Sequence, residues 1–158
     1  MKRLIAHRGI TDGNYSGKEN LIHTIMESLS KGYEVEVDVR IYKGELYLGH
    51  DERQEKVSDL WSSMTRNGMW LESNLWYHCK DSGSMDYFNK SSISNYFFHD
   101  TDDFTLTSKG FIWTANLVGC YPNNTIVVAK NKEHTLSQSE TNCYGICSPF
   151  IGVLSDVA

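Results

Sequence analysis

Two histidines and a strand of alternating acids are the chemistry this sequence offers. His7 and His50 stand in its first third, and between them runs Glu34-Val35-Glu36-Val37-Asp38-Val39. Imidazoles titrate near neutrality, so a pair of them can serve as an acid and a base. Carboxylates at i and i+2 share one face of a strand, where they suit a hard divalent cation such as Mg²⁺ or Ca²⁺. Arg8, beside His7, adds a guanidinium matched to phosphate oxygens.

These groups can act together only if strands carry them to one edge of a sheet. Arg3-Leu4-Ile5-Ala6-His7 is a short apolar run stopped by Gly9, which predicts a buried strand ending at His7. Leu21, Ile22, Ile25, Met26 and Leu29 follow helical spacing, with Asn20 as N-cap and Gly32 as stop. Residues 34–42 alternate strictly, with Glu34, Glu36, Asp38 and Arg40 on one face and Val35, Val37, Val39 and Ile41 on the other. Lys43-Gly44 turns into a hairpin arm, Glu45-Leu46-Tyr47-Leu48, and His50-Asp51 follows. Helices are expected over 58–69 and 84–91, and strands at 75–80, 95–100, 111–114, 125–129 and 144–147. His134 falls in a polar loop.

Strands alternating with helices early in the chain indicate βα units and a parallel sheet. The later strands are only about a dozen residues apart, which leaves a thin helical layer there. If the valine face of residues 34–42 packs under helices, the acidic face points inward. Three unpaired carboxylates would be costly inside. Either cations sit among them, or that face is open to water and paired with Arg40.

The 158 residues, 1–158, are read as one domain. A net charge of −5 with no basic run argues against a nucleic-acid partner. No apolar run reaches the length of a transmembrane helix, so stable membrane insertion is not expected. The basic start Met1-Lys2-Arg3 lacks an apolar h-region, which points to a cytoplasmic protein with reduced thiols. Cys143 and Cys147 have no matching second pair for a structural zinc site.

The ordered set His7-Arg8-Gly9, Glu19-Asn20, Glu36-x-Asp38 and His50-Asp51 resembles the glycerophosphodiester phosphodiesterase family, one of the phospholipase-C-like phosphodiesterase barrels. The resemblance covers about a third of the chain. It implies an α/β fold, here a compact, truncated TIM-type (β/α) barrel of about seven or eight strands with a reduced helical layer, because such barrels typically need about 250 residues. It implies a metal-dependent hydrolase acting on a small-molecule, glycerophosphodiester-like substrate. By the same resemblance Glu36 and Asp38 hold a divalent metal, His7 and His50 share acid–base catalysis, and Arg8 and Lys80 bind the substrate phosphate.

The family's third strand usually carries a metal-binding acid two residues before a lysine. Here His78 precedes Lys80. With His78 as a ligand the site suits Mn²⁺ or Zn²⁺; without it, Glu36 and Asp38 hold Mg²⁺ or Ca²⁺. Trp113-Thr114 and Gly145-Ile146-Cys147-Ser148 are similar to later family strands. The competing expectation is a degenerate barrel that binds a phosphorylated ligand or a partner protein without turnover. A missing helix would also bare an apolar flank suited to a homodimer.

Overall fold

The valine face of residues 34–42 decides the layering of the molecule. In the computed structural model, which describes residues 1–69 and 74–157, Val35, Val37 and Val39 are fully buried. They pack with Ile25, Leu60 and Met64 in a core between sheet and helices. A second core of Ile5, Trp76, Phe97, Trp113, Ile126 and Cys147 fills the inside of the sheet. Glu34, Glu36 and Asp38 lie on that inner face, and all three are buried.

The elements run β1 (Arg3–His7), α1 (Ile22–Ser30), β2 (Glu34–Tyr42), β3 (Glu45–Leu48), α2 (Val57–Arg66), β4 (Leu75–Cys79), α3 (Ser82–Lys90), β5 (Tyr96–Phe97), β6 (Phe104–Leu106), β7 (Ile112–Thr114), β8 (Thr125–Val128), α4 (Lys132–Ser139), β9 (Gly145–Ser148) and a 3-10 helix (Ile151–Val157). The sheet order is β5-β4-β2-β1-β9-β8-β7-β6, with β3 paired to β2. All pairings are parallel except the β2–β3 hairpin and β6–β7. The sheet curls until its ends meet. The Ser108 amide donates to Tyr96 O at 2.8 Å, and the Tyr96 amide donates to Ser108 Oγ at 3.1 Å. The result is a nearly closed, mostly parallel barrel of the TIM type, as the resemblance implies.

The helical layer is thin where the strand spacing is short. Among the described residues no helix lies between β5 and β8. Phe104 and Leu106 on β6 are 61% and 60% exposed there, which marks the uncovered flank. The strand expected over 95–100 shrinks to Tyr96–Phe97. No helix among the described residues is long and apolar enough to cross a membrane. Cys79, Cys143 and Cys147 are buried free thiols, and Cys120 is an exposed one.

Helix α4 corrects the expectation of a polar loop around His134. Its sequence, Lys-Glu-His-Thr-Leu-Ser-Gln-Ser, has almost no apolar stripe to read. A local cap and longer-range hydrogen bonds hold it instead. Asn131 Oδ1 accepts from the His134 amide at 2.8 Å, and Thr135 Oγ1 meets the buried Ser148 Oγ at 2.7 Å. At the far end Lys2 Nζ donates to the carbonyls of Gln138, Ser139 and Thr141 at 2.9, 3.0 and 2.7 Å. An ammonium on orphan carbonyls at a helix C-terminus is favourable both as a cap and against the dipole. Lys2→Met is therefore expected to destabilise the protein by about 1–2 kcal/mol in urea titrations.

Candidate active site

β1 and the turn after it place the first two groups. His7 ends β1, in register with Glu36 of the neighbouring β2. The chain then leaves the sheet through positive φ at Arg8 (55°) and Gly9 (80°). A Cβ on Gly9 would stand 3.1 Å from the Ile25 backbone nitrogen, so glycine lets α1 lie close. The turn aims the Arg8 amide at Glu36 Oε2, 3.1 Å away. The guanidinium reaches back over the sheet edge, with Nε 2.8 Å from Asp38 Oδ2 and Nη1 3.4 Å from Glu19 Oε1. His7 Nε2 lies 3.8 Å from Glu36 Oε2. Burial pulls the His7 pKa below its ordinary value, although Glu36 opposes this.

β2 and β4 supply the rest of the centre. Their parallel register sets Asp38 beside His78. His78 Nδ1 is 3.2 Å from Asp38 Oδ1 and 3.4 Å from Glu36 Oε1. Its Nε2 is 2.9 Å from the His99 carbonyl, and its ring stacks on Phe97 with centroids 4.8 Å apart. Burial works against charge on His78, but the contacts with Asp38 and Glu36 outweigh it and lift its pKa to about 9. Burial likewise opposes the Asp38 carboxylate; His78, Arg8 and Asn20 nevertheless hold its pKa below the usual carboxylate range.

Asn20 locks this carboxylate in place. Its Nδ2 donates to Asp38 Oδ2 at 3.0 Å, and its Oδ1 accepts from the Asp38 amide at 2.9 Å. The expected N-cap role is thus corrected. Asn20 has a φ of 58°, which turns its amide toward β2, and asparagine tolerates that region better than most residues. The free amide at the start of α1, that of Ile22, is satisfied by Glu55 Oε2 at 2.6 Å.

These residues fit a divalent cation. Ligand atoms of Glu36, Asp38 and His78 all lie within 4.8 Å of one another. Neighbouring ligands of an octahedral ion stand ~3 Å apart, close to the spacing seen between His78 and the two acids. Asp38 Oδ1 is buried and receives no well-aligned hydrogen bond. Glu34, the third inward acid, belongs elsewhere. Toward the opposite end of the barrel it accepts from Trp76 Nε1 at 2.7 Å and pairs with Arg3 at 3.0 Å.

The hairpin ties the backbone before His50 to that of Asp38. The Gly49 amide donates to Asp38 O at 3.0 Å. Gly49 has a φ of 135°, and a Cβ there would come 1.9 Å from Glu52 O. Arg40, the next inward position of β2 after Asp38, donates Nε and Nη2 to His50 O at 2.9 and 2.5 Å. It therefore does not pair with the strand acids as the sequence allowed. Asp51 Oδ1 meets His50 Nδ1 at 2.9 Å. His50 and Arg8 line one cleft of about 410 Å³ with Glu19, Asn20, Asp51 and Gln54.

The chain is similar in fold to a solved glycerophosphodiester phosphodiesterase from Thermotoga maritima. The TM-score is 0.58 at 13% sequence identity, and the match covers 100% of this chain and 99% of that one. No protein-family model matches the chain, and no curated protein matches it either.

Of the residues expected to act, Glu36, Asp38, His78, His7 and Arg8 form one contacting group. His50 enters through the cleft it shares with Arg8. Lys80 directly follows β4. Its amide donates to Val39 O at 2.9 Å, and strand alternation puts it on the same side as His78. Two contributors were missed. The His99 carbonyl is a backbone group and carries no side-chain signal. Arg40 could have been found only from the hairpin register. With two charged donors holding the His50 backbone, Arg40→Met is expected to destabilise the protein by about 1–3 kcal/mol in urea titrations.

Proposed function

We propose that this protein is a metal-dependent phosphodiester hydrolase acting on a glycerophosphodiester-like substrate, a short divergent relative of the glycerophosphodiester phosphodiesterases. One observation carries the proposal: Glu36, Asp38 and His78 converge beside His7 and Arg8 at the carboxyl edge of a parallel barrel. Functional residues of such barrels gather at that edge. The likeness in fold to the Thermotoga maritima enzyme supports the same reading.

Glu36, Asp38 and His78 would hold the cation. A bound divalent ion supplies Lewis-acid polarisation of a phosphoryl oxygen and offsets developing negative charge. The chain's own groups do the rest. Arg8 is anchored through Nε and Nη1 by Asp38 and Glu19, which leaves Nη2 to clamp a second phosphate oxygen. Lys80 adds a point charge at the same edge. His7 and His50 divide the proton transfers. One imidazole takes a proton from the attacking water as its oxygen bonds to phosphorus; the other protonates the departing alkoxide as the old P–O bond breaks. Asp51 orients the His50 ring through Nδ1, leaving Nε2 to carry that proton.

Purified protein incubated with glycerophosphocholine, glycerophosphoethanolamine or glycerophosphoglycerol tests the proposal. It is expected to release the free alcohol with Mn²⁺ or Mg²⁺ and to stop with EDTA. Binding of these compounds without release under any divalent metal would favour a non-catalytic ligand-binding barrel.

A further inference from the structure

We propose that this centre selects a first-row transition ion, Mn²⁺ or Zn²⁺, over Ca²⁺ and Mg²⁺, and that His78 sets the preference through Nδ1. The inference rests on the hydrolase reading, which requires a cation at Glu36 and Asp38 but does not say which.

A carbonyl oxygen only accepts, so the 2.9 Å contact with His99 O puts the ring proton on Nε2. Deprotonated for ligation, the ring has its lone pair on Nδ1, the atom that faces Glu36 Oε1 and Asp38 Oδ1. A backbone carbonyl holding the distal nitrogen of a ligand histidine is the usual outer-shell support of a metal site. The ring has little room to turn away. It stacks on Phe97 with planes 12° apart, and Phe97 stacks in turn on Trp113 at 4.4 Å.

The carboxylates limit the ion from the other side. Glu36 Oε2 is taken by the Arg8 amide. Asp38 Oδ2 is taken by Asn20 Nδ2 and lies 2.8 Å from Arg8 Nε. Each acid therefore presents one oxygen, Glu36 Oε1 or Asp38 Oδ1. Ca²⁺ favours six to eight oxygen ligands and commonly takes carboxylates bidentately. Here protein donors block that second oxygen, and the third ligand is nitrogen. One nitrogen and two single carboxylate oxygens suit a small ion with affinity for imidazole, and affinity for such sites rises along the first transition row. Mg²⁺, held mostly by oxygen and water, gains little from the imidazole.

Calorimetry on EDTA-stripped protein with Mn²⁺, Zn²⁺, Ca²⁺ and Mg²⁺ in turn tests the selectivity. Mn²⁺ and Zn²⁺ are expected to bind about 100-fold or more tightly than Ca²⁺ and Mg²⁺. Pulsed electron–nuclear double resonance on the Mn²⁺ complex should show one directly bound nitrogen. His78→Glu should remove the nitrogen coupling and cut the preference over Ca²⁺ by about tenfold or more. His78→Gln serves as the second variant should His78→Glu fail to fold, and it too should lose the coupling. Ca²⁺ or Mg²⁺ binding as tightly as Mn²⁺, a nitrogen coupling that persists in both variants, or no metal binding at all would overturn the inference. Tight Mn²⁺ binding through nitrogen with no turnover of any glycerophosphodiester would instead sink the hydrolase reading and leave the selectivity standing. Turnover with unselective metal binding would do the reverse.

Discussion

His7→Ala is expected to lower kcat by about 10²–10⁴-fold while the fold and the Mn²⁺ affinity survive. The imidazole stands 3.8 Å from Glu36 but outside the Glu36–Asp38–His78 group, so under the proposed mechanism its removal would take a proton carrier and spare the three candidate ligands. His50→Ala should show a loss of the same order, because in the proposed mechanism the two rings act on opposite ends of the same displacement. The double variant should be little worse than either single one, since groups that act as a unit are not additive. Steady-state kinetics on glycerophosphodiesters, with circular dichroism and Mn²⁺ calorimetry as controls, measure all three. A His7→Ala protein within a few-fold of wild type would remove His7 from the chemistry.

The second large effect is on stability, and it concerns the metal-free protein. His78 rises from an ordinary value of 6.5 to about 9 because Asp38 and Glu36 face it. A raised folded-state pKa gives stability that is complete below 6.5 and is lost as pH climbs through about 9. The gap corresponds to about 3 kcal/mol at the order-of-magnitude level. Asp38 works with the opposite sign. Its folded pKa is depressed, so its contribution is present above the unfolded value of 3.8 and fades only as strong acid protonates it. EDTA-treated protein should therefore lose about 3 kcal/mol of unfolding free energy between pH 6.5 and 9 in urea titrations. Saturating Mn²⁺ should abolish that loss, because a metal ligand must be unprotonated and binding then strengthens as pH rises. An EDTA-treated protein equally stable at both pH values would contradict the His78 contacts.

β2 was legible to the residue because its alternation is strict over eight positions, Glu34 to Ile41, and both faces are buried as far as Val39, one on helices and one inside. His7 was placed by its own apolar run stopped at Gly9, and the hairpin before His50 by the Lys43-Gly44 turn. β6 has only three residues, Phe-Thr-Leu, too few to set a period. α4 could not be read from apolar periodicity because capping and a buried Thr135–Ser148 contact form it. Within the site, the types of Glu36, Asp38 and His78 were visible in the chain, but the pairing of Asp38 with His78 depends on strand register. Asn20 carried a local signal for capping, and a tertiary partner, Asp38, claimed its side chain instead. Glu34 has the same spacing as its neighbours and a different fate, because Arg3 pairs with it and Trp76 donates to it toward the far end of the barrel.

Glu36, Asp38 and His78 are proposed to hold one divalent cation. Anomalous diffraction at the manganese edge from crystals grown with Mn²⁺ tests it most directly. The expected result is a single strong peak about 2.0–2.3 Å from Glu36 Oε1, Asp38 Oδ1 and His78 Nδ1. A peak elsewhere, or an empty centre in crystals of protein that binds Mn²⁺ in solution, would contradict it.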